Sequence, residues 1–261
     1  MDKQPLLSVV TVVHNGVRHI ENTIKSVISQ TYPHIEYIII DGNSTDGTQD
    51  IINKYRNQIS EFISEPDRGI YDAMNKGLRT SHGDYILFLN CGDSIYKPGT
   101  VSDILIKGDA DIFYGETLLT NGEGNDLGTR SLLTTRQLPD MLNDRSFLKG
   151  MVVSHQAFIA RRSITPLYDL RYKCSADIDW CITILKRSTV IKRFDDIMVR
   201  YLSEGYSTRF RGHCLAERFI IFVRKYGVIM AILSHILIFF RYLFFITRRV
   251  VLRASPNGVE R

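Results

Sequence analysis

The sequence predicts an α/β fold in which helices cover both faces of a mostly parallel sheet. Short apolar runs rich in β-branched residues alternate with segments whose apolar residues recur at helical spacing. Two of the runs, YIIIDG (37–42) and YILFLNCGD (85–93), stop abruptly at Asp, Asn, Cys or Gly. Buried parallel strands deliver polar side chains to the edge of a sheet in this way, so that edge is the predicted functional region.

The first hundred residues show this alternation most clearly. LSVVTVV (7–13) is predicted to be a strand, and residues 18–30 place Ile20, Ile24, Val27 and Ile28 at helical spacing. The same criteria predict strands at 36–41, 61–64 and 85–89, and helices at 48–55 and 70–79.

Beyond Pro98 the pattern is less regular. It predicts a short helix at 101–106, a strand at 111–114, a helix at 176–186, and paired strands at 189–193 and 197–201. No repeat or low-complexity linker divides this part of the chain, so residues 1–212 are predicted to form one domain. With 44% apolar residues among 261, the chain can build a sizeable core.

Residues 213–261 are predicted to form a basic and apolar tail. Residues 228–240 are almost uninterrupted apolar sequence flanked by arginines, whereas a spanning helix needs about 20 such residues. We expect one or two amphipathic helices in the membrane interface; a spanning helix and a soluble packing or oligomerisation helix are the alternatives. The net charge of +5, concentrated toward the tail, suits a membrane surface or phosphate. No nucleic-acid partner is expected.

The cysteines favour a reducing compartment. Cys91, Cys174, Cys181 and Cys214 show no CxxC pair or metal-ligand spacing, and the first segment is a strand candidate rather than a signal sequence. We therefore expect free thiols, with a Cys174–Cys181 disulfide as the less favoured alternative.

Four ordered motifs carry a resemblance to a known family. They are SVVTVVHN (8–15), IIIDGNSTDGT (38–48), SEPDRGIYDAMNKG (64–77) and GDYILFLNCGD (83–93). Together they resemble the successive motifs of family 2 glycosyltransferases with the GT-A fold, a Rossmann-like sheet with flanking helices. SHQAFIARR (154–162) and YDLRYKCSADIDW (168–180) are similar to acceptor-side segments of the bacterial O-antigen and colanic-acid branch.

The resemblance implies a nucleotide-sugar site at the first strands. Asp41 matches an aspartate that contacts the uracil N3–H, although guanine is also compatible, and Asp41 could simply open an Asx turn before Gly42. Thr11, His14 and Asn15 close the first strand and are expected to line the base and ribose. His14 stands where many relatives carry tyrosine, and a histidine there could merely cap the loop.

The segment around a Gly69 hinge is the predicted diphosphate-binding region. Asp67 and Arg68 precede a helix that brings Asn75 and Lys76 onto one turn, and a helix start favours a bound anion. Arg68 and Lys76 are candidate diphosphate contacts, with ordinary solvated charges as the alternative.

A divalent cation, Mg²⁺ or Mn²⁺, is implied because the departing nucleoside diphosphate builds negative charge. Most relatives have an Asp-X-Asp-Asp sequence where this chain has Asn90, Cys91, Gly92 and Asp93. Asp93 is therefore the expected metal ligand, and the departure puts the metal affinity in question. His155 is a further candidate ligand or an acceptor contact, with a structural role as the alternative.

Sugar transfer with inversion requires a base for the acceptor hydroxyl. The family places an aspartate for this role at the start of a helix, and Asp177 matches it, with Asp179 as second candidate. Their alternative role is to offset the helix macrodipole. Trp180 could offer a face to a sugar ring.

The resemblance implies an inverting hexosyltransferase that uses a UDP-sugar, with glucose or galactose favoured. The expected acceptor is a polyprenyl-diphosphate-linked saccharide of O-antigen or exopolysaccharide synthesis, and the expected location is the cytoplasmic face of the bacterial inner membrane, as a peripheral protein. Two alternatives are a nucleotidyltransferase, for which residues 14–18 make a poor phosphate loop, and an inactive sugar-nucleotide-binding protein.

Overall fold

A computed structural model describes residues 4–203 and 211–254. One sheet runs through the part of the chain thus described. Its nine strands are β1 (Leu7–Val13), β2 (Ile35–Asp41), β3 (Glu61–Ser64), β4 (Tyr85–Phe88), β5 (Ser94–Ile95), β6 (Ile112–Thr120), β7 (Asp126–Thr129), β8 (Phe158–Arg161) and β9 (Ile191–Leu202). Their spatial order is β3-β2-β1-β4-β8-β6-β9-β5, and β7 pairs with β6.

The helices lie on both faces and at the C-terminal end. They are α1 (Ile20–Ile28), α2 (Thr48–Lys54), α3 (Ile70–Thr80), α4 (Thr100–Leu105), α5 (Arg130–Leu133), α6 (Ala176–Leu185), α7 (Arg211–Tyr226) and α8 (Val228–Ala254).

The first half of the sheet is parallel, as predicted. β3, β2, β1 and β4 pair in parallel, and all seven residues of β1 are buried. Because side chains alternate along a strand, Val10 and Val12 join the core cluster that includes Trp180, whereas Val9 and Val13 join the cluster around Ile24. The continuous apolar runs are thus explained by burial on both faces.

The second half adds antiparallel pairs to the mostly parallel sheet. β8 pairs antiparallel with both β4 and β6, although β6 and β9 are parallel. The predicted pair of strands at 189–193 and 197–201 is wrong, because these residues form the single strand β9. The pairing of β9 with β6 shifts register at Glu116, and the exposed Asp195 lies in the part of β9 that this irregularity leaves unpaired.

The structure packs α7 into the main body, unlike the predicted division after residue 212. Ile221 and Phe222 are completely buried and belong to the same core cluster as Trp180. The first part of the predicted tail therefore contributes to the core of the preceding domain.

Helix α8 follows α7 after Gly227, whose φ of 86° lies in the left-handed region. The helix packs on α7 and on the 3₁₀ segment Asp144–Lys149. Val228–Thr247, 20 residues with a mean hydropathy of 2.2, is long and apolar enough to cross a membrane, and only 11% of it is buried. One such helix is compatible with membrane association.

Candidate active site

The loops that follow β1 and β4 touch at the carboxyl edge of the sheet. The Cys91 Sγ lies 3.6 Å from the Gly16 carbonyl oxygen. A Cβ on Gly16 would come within 2.5 Å of that sulfur, so only glycine permits this approach. The contact joins two groups of polar side chains. The first group follows β1 to β3, and the second consists of Asn90 after β4 with His155 and Asp177 beside it.

Asp41 lies at the floor of the first group. It is completely buried; its carboxylate accepts hydrogen bonds from the backbone N–H and hydroxyl of Ser44, and from the Ser64 hydroxyl at 2.6 Å. The aspartate therefore braces the loops after β2 and β3, which matches the turn role left open by the sequence. Direct contact with a base would require Ser44 or Ser64 to give way.

His14, Asn15 and Asp67 converge above Gly42. The His14 Nδ1 lies 2.9 Å from the Gly42 carbonyl oxygen, and the Asn15 amide oxygen accepts the Thr45 N–H at 2.9 Å. A Cβ on Gly42 would lie 2.6 Å from an Asp67 carboxylate oxygen and 3.3 Å from the His14 ring. The Asn15 amide also lies 3.2 Å from the His14 Nε2, so the three side chains form one polar cluster beside Gly42.

Thr11 does not reach this polar cluster, contrary to the prediction. It is fully buried in β1, and its hydroxyl lies 3.2 Å from the Tyr37 hydroxyl. Thr11 lies two residues before the end of β1, within its buried part, so its side chain contacts β2 and not the loop that follows the strand.

The charged residues around the hinge are partly committed to local structure. The Arg68 backbone N–H donates to Asp72 at 3.0 Å, but its side chain is 81% exposed. The Lys76 ammonium instead donates to the Pro66 carbonyl at 2.8 Å and pairs with Glu65 at 3.0 Å. Lys76 therefore fastens the loop before α3, and Arg68 is the cation of the two that faces solvent.

Asn75 has a structural role in place of the predicted donor contact. Its side-chain amide donates to the Tyr168 carbonyl at 2.9 Å and accepts the Tyr168 N–H at 2.7 Å. Both polar atoms of this buried side chain are thus paired with the backbone of one residue. The pairing ties α3 to the segment that leads into α6.

Asp177 is the centre of the second group. One carboxylate oxygen accepts the Tyr71 hydroxyl at 3.2 Å, and the other lies 3.5 Å from the His155 Nδ1. Burial alone would raise the pKa of Asp177, but hydrogen bonding and charge from His155, then the Ile178 N–H and Tyr71, outweigh it and hold the pKa below its usual range. Asp177 is therefore ionised at neutral pH.

An aromatic stack fixes Tyr71 against Asp177. The Tyr71 ring stacks on Tyr168 with centroids 5.4 Å apart, and Tyr168 stacks on Trp180 at 5.0 Å. Trp180 is buried and donates its indole N–H to the Pro166 carbonyl at 2.9 Å. Trp180 therefore supports the site from inside the core. The predicted role, in which its ring offers a face to a sugar, is not compatible with this burial.

Asp179 faces away from this group. Its carboxylate pairs with the Lys225 ammonium of α7 at 3.0 Å. Two positions along a helix turn the side chain by about 200°, so Asp177 and Asp179 cannot share a site. The second candidate base is thus an ion-pair partner between α6 and α7.

Asp93 is buried between the end of β4 and two other segments. One oxygen accepts the Gln156 amide at 2.9 Å and the other accepts the Leu202 N–H at 3.0 Å. Burial raises the pKa of Asp93 to about 7, although these donors and His155 partly oppose it.

These surroundings fit a divalent cation on Asp93 poorly. Both carboxylate oxygens already accept hydrogen bonds, from the Gln156 amide and the Leu202 N–H, which leaves neither oxygen pointing at an open position. Asn90 Oδ1 is buried without a hydrogen-bond partner among the described residues, and the Asn90 amide lies 3.5 Å from His155. In the described part of the chain, the one set of three clustered His, Cys and acidic ligands is elsewhere, at Cys174, His213 and Glu217.

Two buried arginines near Asp177 were not predicted. Arg130, 7% exposed, donates to the carbonyls of Met151 and Val152. Arg218, 9% exposed, has an Nε without a partner among the described residues. Burial, followed by repulsion from Arg136, lowers the pKa of Arg218, and the same two causes lower that of Arg130 to about 9.

Neither buried arginine forms an ion pair within the described ranges. The negative charge of Asp177 nevertheless favours the charged form of both and raises the pKa of each. Excess buried positive charge of this kind attracts phosphate. No local pattern predicts this pair of buried arginines, because Arg130 and Arg218 lie on different helices far apart in the chain.

Comparisons with known proteins agree with this architecture. Residues 8–166 match the model of glycosyl transferase family 2. A PGL/p-HBAD biosynthesis glycosyltransferase of Mycobacterium bovis is 28% identical over 211 residues, 77% of each chain. The putative teichuronic acid biosynthesis glycosyltransferase TuaG of Bacillus subtilis is 42% identical over 98 residues, 36% of this chain and 38% of TuaG.

Two solved structures share the fold. TarS 1-349 of S. aureus in complex with UDP-GlcNAc superposes with a TM-score of 0.70 at 17% identity, covering 92% of this chain and 73% of TarS. The mannosyltransferase PcManGT of Pyrobaculum calidifontis, in complex with GDP-Man and Mn²⁺, superposes with a TM-score of 0.61 at 14% identity. The match covers 98% of this chain and 82% of PcManGT. The matched family model covers more than half of the chain, which therefore belongs to glycosyl transferase family 2 and is a glycosyltransferase with the GT-A fold.

Proposed function

We propose that the protein transfers a hexose from a UDP-sugar to an acceptor hydroxyl with inversion, and that Asp177 is the base. The observation that carries the proposal is the Asp177 carboxylate, held between His155 and Tyr71 next to Asn90 at the end of β4. The crystallised complex of TarS with UDP-GlcNAc supports a UDP-sugar as the donor class.

In the proposed reaction, the acceptor oxygen attacks the anomeric carbon while its proton passes to the Asp177 carboxylate. The bond between the anomeric carbon and the diphosphate oxygen breaks, and its electron pair leaves with UDP. Attack from the face opposite the leaving group inverts the anomeric centre, so an α-linked donor gives a β linkage. His155 and Tyr71 orient Asp177 throughout.

The polar cluster of His14, Asn15 and Asp67 beside Gly42 is the proposed nucleoside site. Asp41 lies behind it and holds the shape of the loops through Ser44 and Ser64. Arg68 is the proposed contact for the donor diphosphate because its side chain is 81% exposed and its charge is held beside Gly69 by an ion pair with Asp72 at 3.5 Å. No step is assigned to a cation on Asp93, whose oxygens are occupied.

The proposed acceptor is a polyprenyl-diphosphate-linked saccharide at the cytoplasmic face of the bacterial inner membrane, within O-antigen or exopolysaccharide synthesis. The apolar exposed face of α8 supports a lipid-linked acceptor. The relatives named for PGL/p-HBAD and teichuronic acid biosynthesis support a role in a bacterial surface glycoconjugate.

The test is a transfer assay with the full chain in detergent. UDP-glucose and UDP-galactose are offered with a synthetic GlcNAc-diphosphate lipid, with Mg²⁺, with Mn²⁺ and with EDTA, while UDP release is measured. We expect acceptor-dependent release of UDP, and NMR of the product should show a β-linked hexose. An α-linked product would contradict the inverting mechanism.

A catalytically inactive sugar-nucleotide-binding protein is the second candidate, favoured by Asn90 and Gly92 at positions where relatives carry aspartates. Calorimetric binding of a UDP-sugar without turnover on any lipid acceptor would support it over the transferase.

A further inference from the structure

We infer that a cavity and an adjoining groove between α8 and residues 134–149 bind the diphosphate head and the first hydrocarbon units of a lipid. The inference rests on the proposed function, since it identifies the place at which the lipid end of the acceptor is held. Two neighbouring voids of opposite character carry it.

The first void is a basic cavity of about 610 Å³ between residues 137–149 and α8. Arg145, Lys149 and Arg241 line it, and none of them forms an ion pair within the described part of the chain. Its acid, Asp140, is already paired with Arg193. The cavity therefore carries an uncompensated positive charge that suits a phosphate or diphosphate.

The second void is an apolar groove of about 450 Å³ along the next turns of α8. Phe240, Phe244 and Phe245 supply its apolar wall, and Gln137 and Arg241 line both voids. A lipid would fill both voids if its anionic head lay in the cavity, its hydrocarbon chain lay in the groove, and the junction of the two lay beside Arg241. Free phosphate would leave the groove empty, and an uncharged hydrocarbon would leave the cations unpaired.

Arg241 provides an independent argument, because it interrupts the apolar stretch of α8. Its guanidinium donates to the Thr135 carbonyl at 2.5 Å and so points back at the protein body. A charged side chain within a membrane-depth segment is costly and usually has a partner or a function. The cavity gives this charge an anionic partner at the level of the headgroups.

The wall of the cavity leads toward the candidate base. Val152 lines the cavity, and its carbonyl accepts a hydrogen bond from the buried Arg130. His155 follows Val152 by three residues, which span at most about 11 Å of chain. A lipid diphosphate in the cavity would therefore hold its attached saccharide within reach of Asp177, which lies beside His155.

The test uses farnesyl diphosphate as the probe and calorimetric titration of the full chain in detergent. We expect farnesyl diphosphate to bind at least tenfold more tightly than inorganic diphosphate or farnesol. Equal binding of inorganic diphosphate would reveal a plain anion site, and equal binding of farnesol a plain apolar groove; either result overturns the inference.

The variant Arg145→Gln/Lys149→Gln should weaken farnesyl diphosphate at least tenfold. Both side chains are exposed and make no hydrogen bond that the described structure would lose, so the fold should persist. Lys54→Gln, an exposed change at the end of α2, is the matched control and should leave the affinity unchanged. Unaltered affinity in the double variant overturns the site.

The transfer assay separates the two proposals. If the double variant raises the KM for the lipid acceptor while UDP-sugar binding is unchanged, both stand. If no acceptor is ever glycosylated but farnesyl diphosphate binding keeps its dependence on Arg145 and Lys149, the proposed function fails and the lipid site stands.

Discussion

The Glu217→Gln substitution should lower both stability and activity, because Glu217 caps the helix that carries Asp177. Its buried carboxylate accepts the backbone N–H groups of Lys173, Cys174 and Ser175 at 2.7, 3.0 and 3.0 Å. Those residues directly precede α6, and Ser175 offers no side-chain cap of its own. A carboxylate from α7 thus holds the turn that leads into α6 and places negative charge at the N-terminal end of that helix.

The size of the effect follows from these three bonds. A hydrogen bond to a charged group contributes about 1.5–3 kcal/mol. Glutamine removes the charge from all three and turns an N–H₂ group toward at least one backbone N–H, so we expect a loss of about 3 kcal/mol. For a protein of this size, that corresponds to a Tm lower by about 6–12 °C.

Thermal unfolding measures the loss of stability in Glu217→Gln, and the transfer assay measures its loss of activity. The matched control is His213→Ala, because the His213 ring lies 3.2 Å from Glu217 but is 63% exposed, and exposed ion pairs contribute at most about 1 kcal/mol. A Tm within about 2 °C of the wild type, or an equal loss in His213→Ala, would refute the capping role.

Three further changes have defined outcomes. Tyr71→Phe removes the 3.2 Å hydrogen bond to Asp177 but keeps the ring stack, so kcat should fall about tenfold and the acid limb of the pH profile should move upward at nearly constant Tm; an unmoved limb contradicts this. Asp93 has a folded pKa of about 7 against an ordinary 3.8, so the folded state binds the extra proton and wild-type stability should fall as pH rises through about 4 to 7. Asp93→Asn should flatten that slope, and parallel Tm curves would count against it. Truncation after Gly227 removes α8 but keeps α7 in the core, so the protein should leave the membrane fraction while still binding UDP; unchanged sedimentation would argue against α8 as the membrane contact.

The sequence was sufficient for features set by local pattern. Apolar runs identify β1, β2 and β4 because both faces of that part of the sheet are covered. The helix predicted at 176–186 likewise places Asp177 in its first turn, as the structure does. The end of β4 at Asn90 to Asp93 is likewise visible as an abrupt change from apolar to polar residues.

The remaining features depend on contacts between distant parts of the chain. Tyr71 donates a hydrogen bond to Asp177, which is 106 residues away in the chain, and the sequence around Tyr71 is typical of an ordinary helix start. Asp179 could not be separated from Asp177 before the position of Lys225 was known. Asn75 and Asp93 are polar residues at plausible positions, yet the fold pairs each with buried groups from later segments.

The kcat of Asp177→Asn, set beside that of Asp179→Asn, decides whether the carboxylate between His155 and Tyr71 takes the acceptor proton. Asparagine keeps the shape but cannot accept a proton, so UDP-sugar binding should persist while kcat falls by about 10²–10⁴. Asp179→Asn should retain kcat within a few-fold of the wild type, since it loses only the pair with Lys225. An Asp177→Asn enzyme with kcat within threefold of the wild type would contradict the assignment of the base.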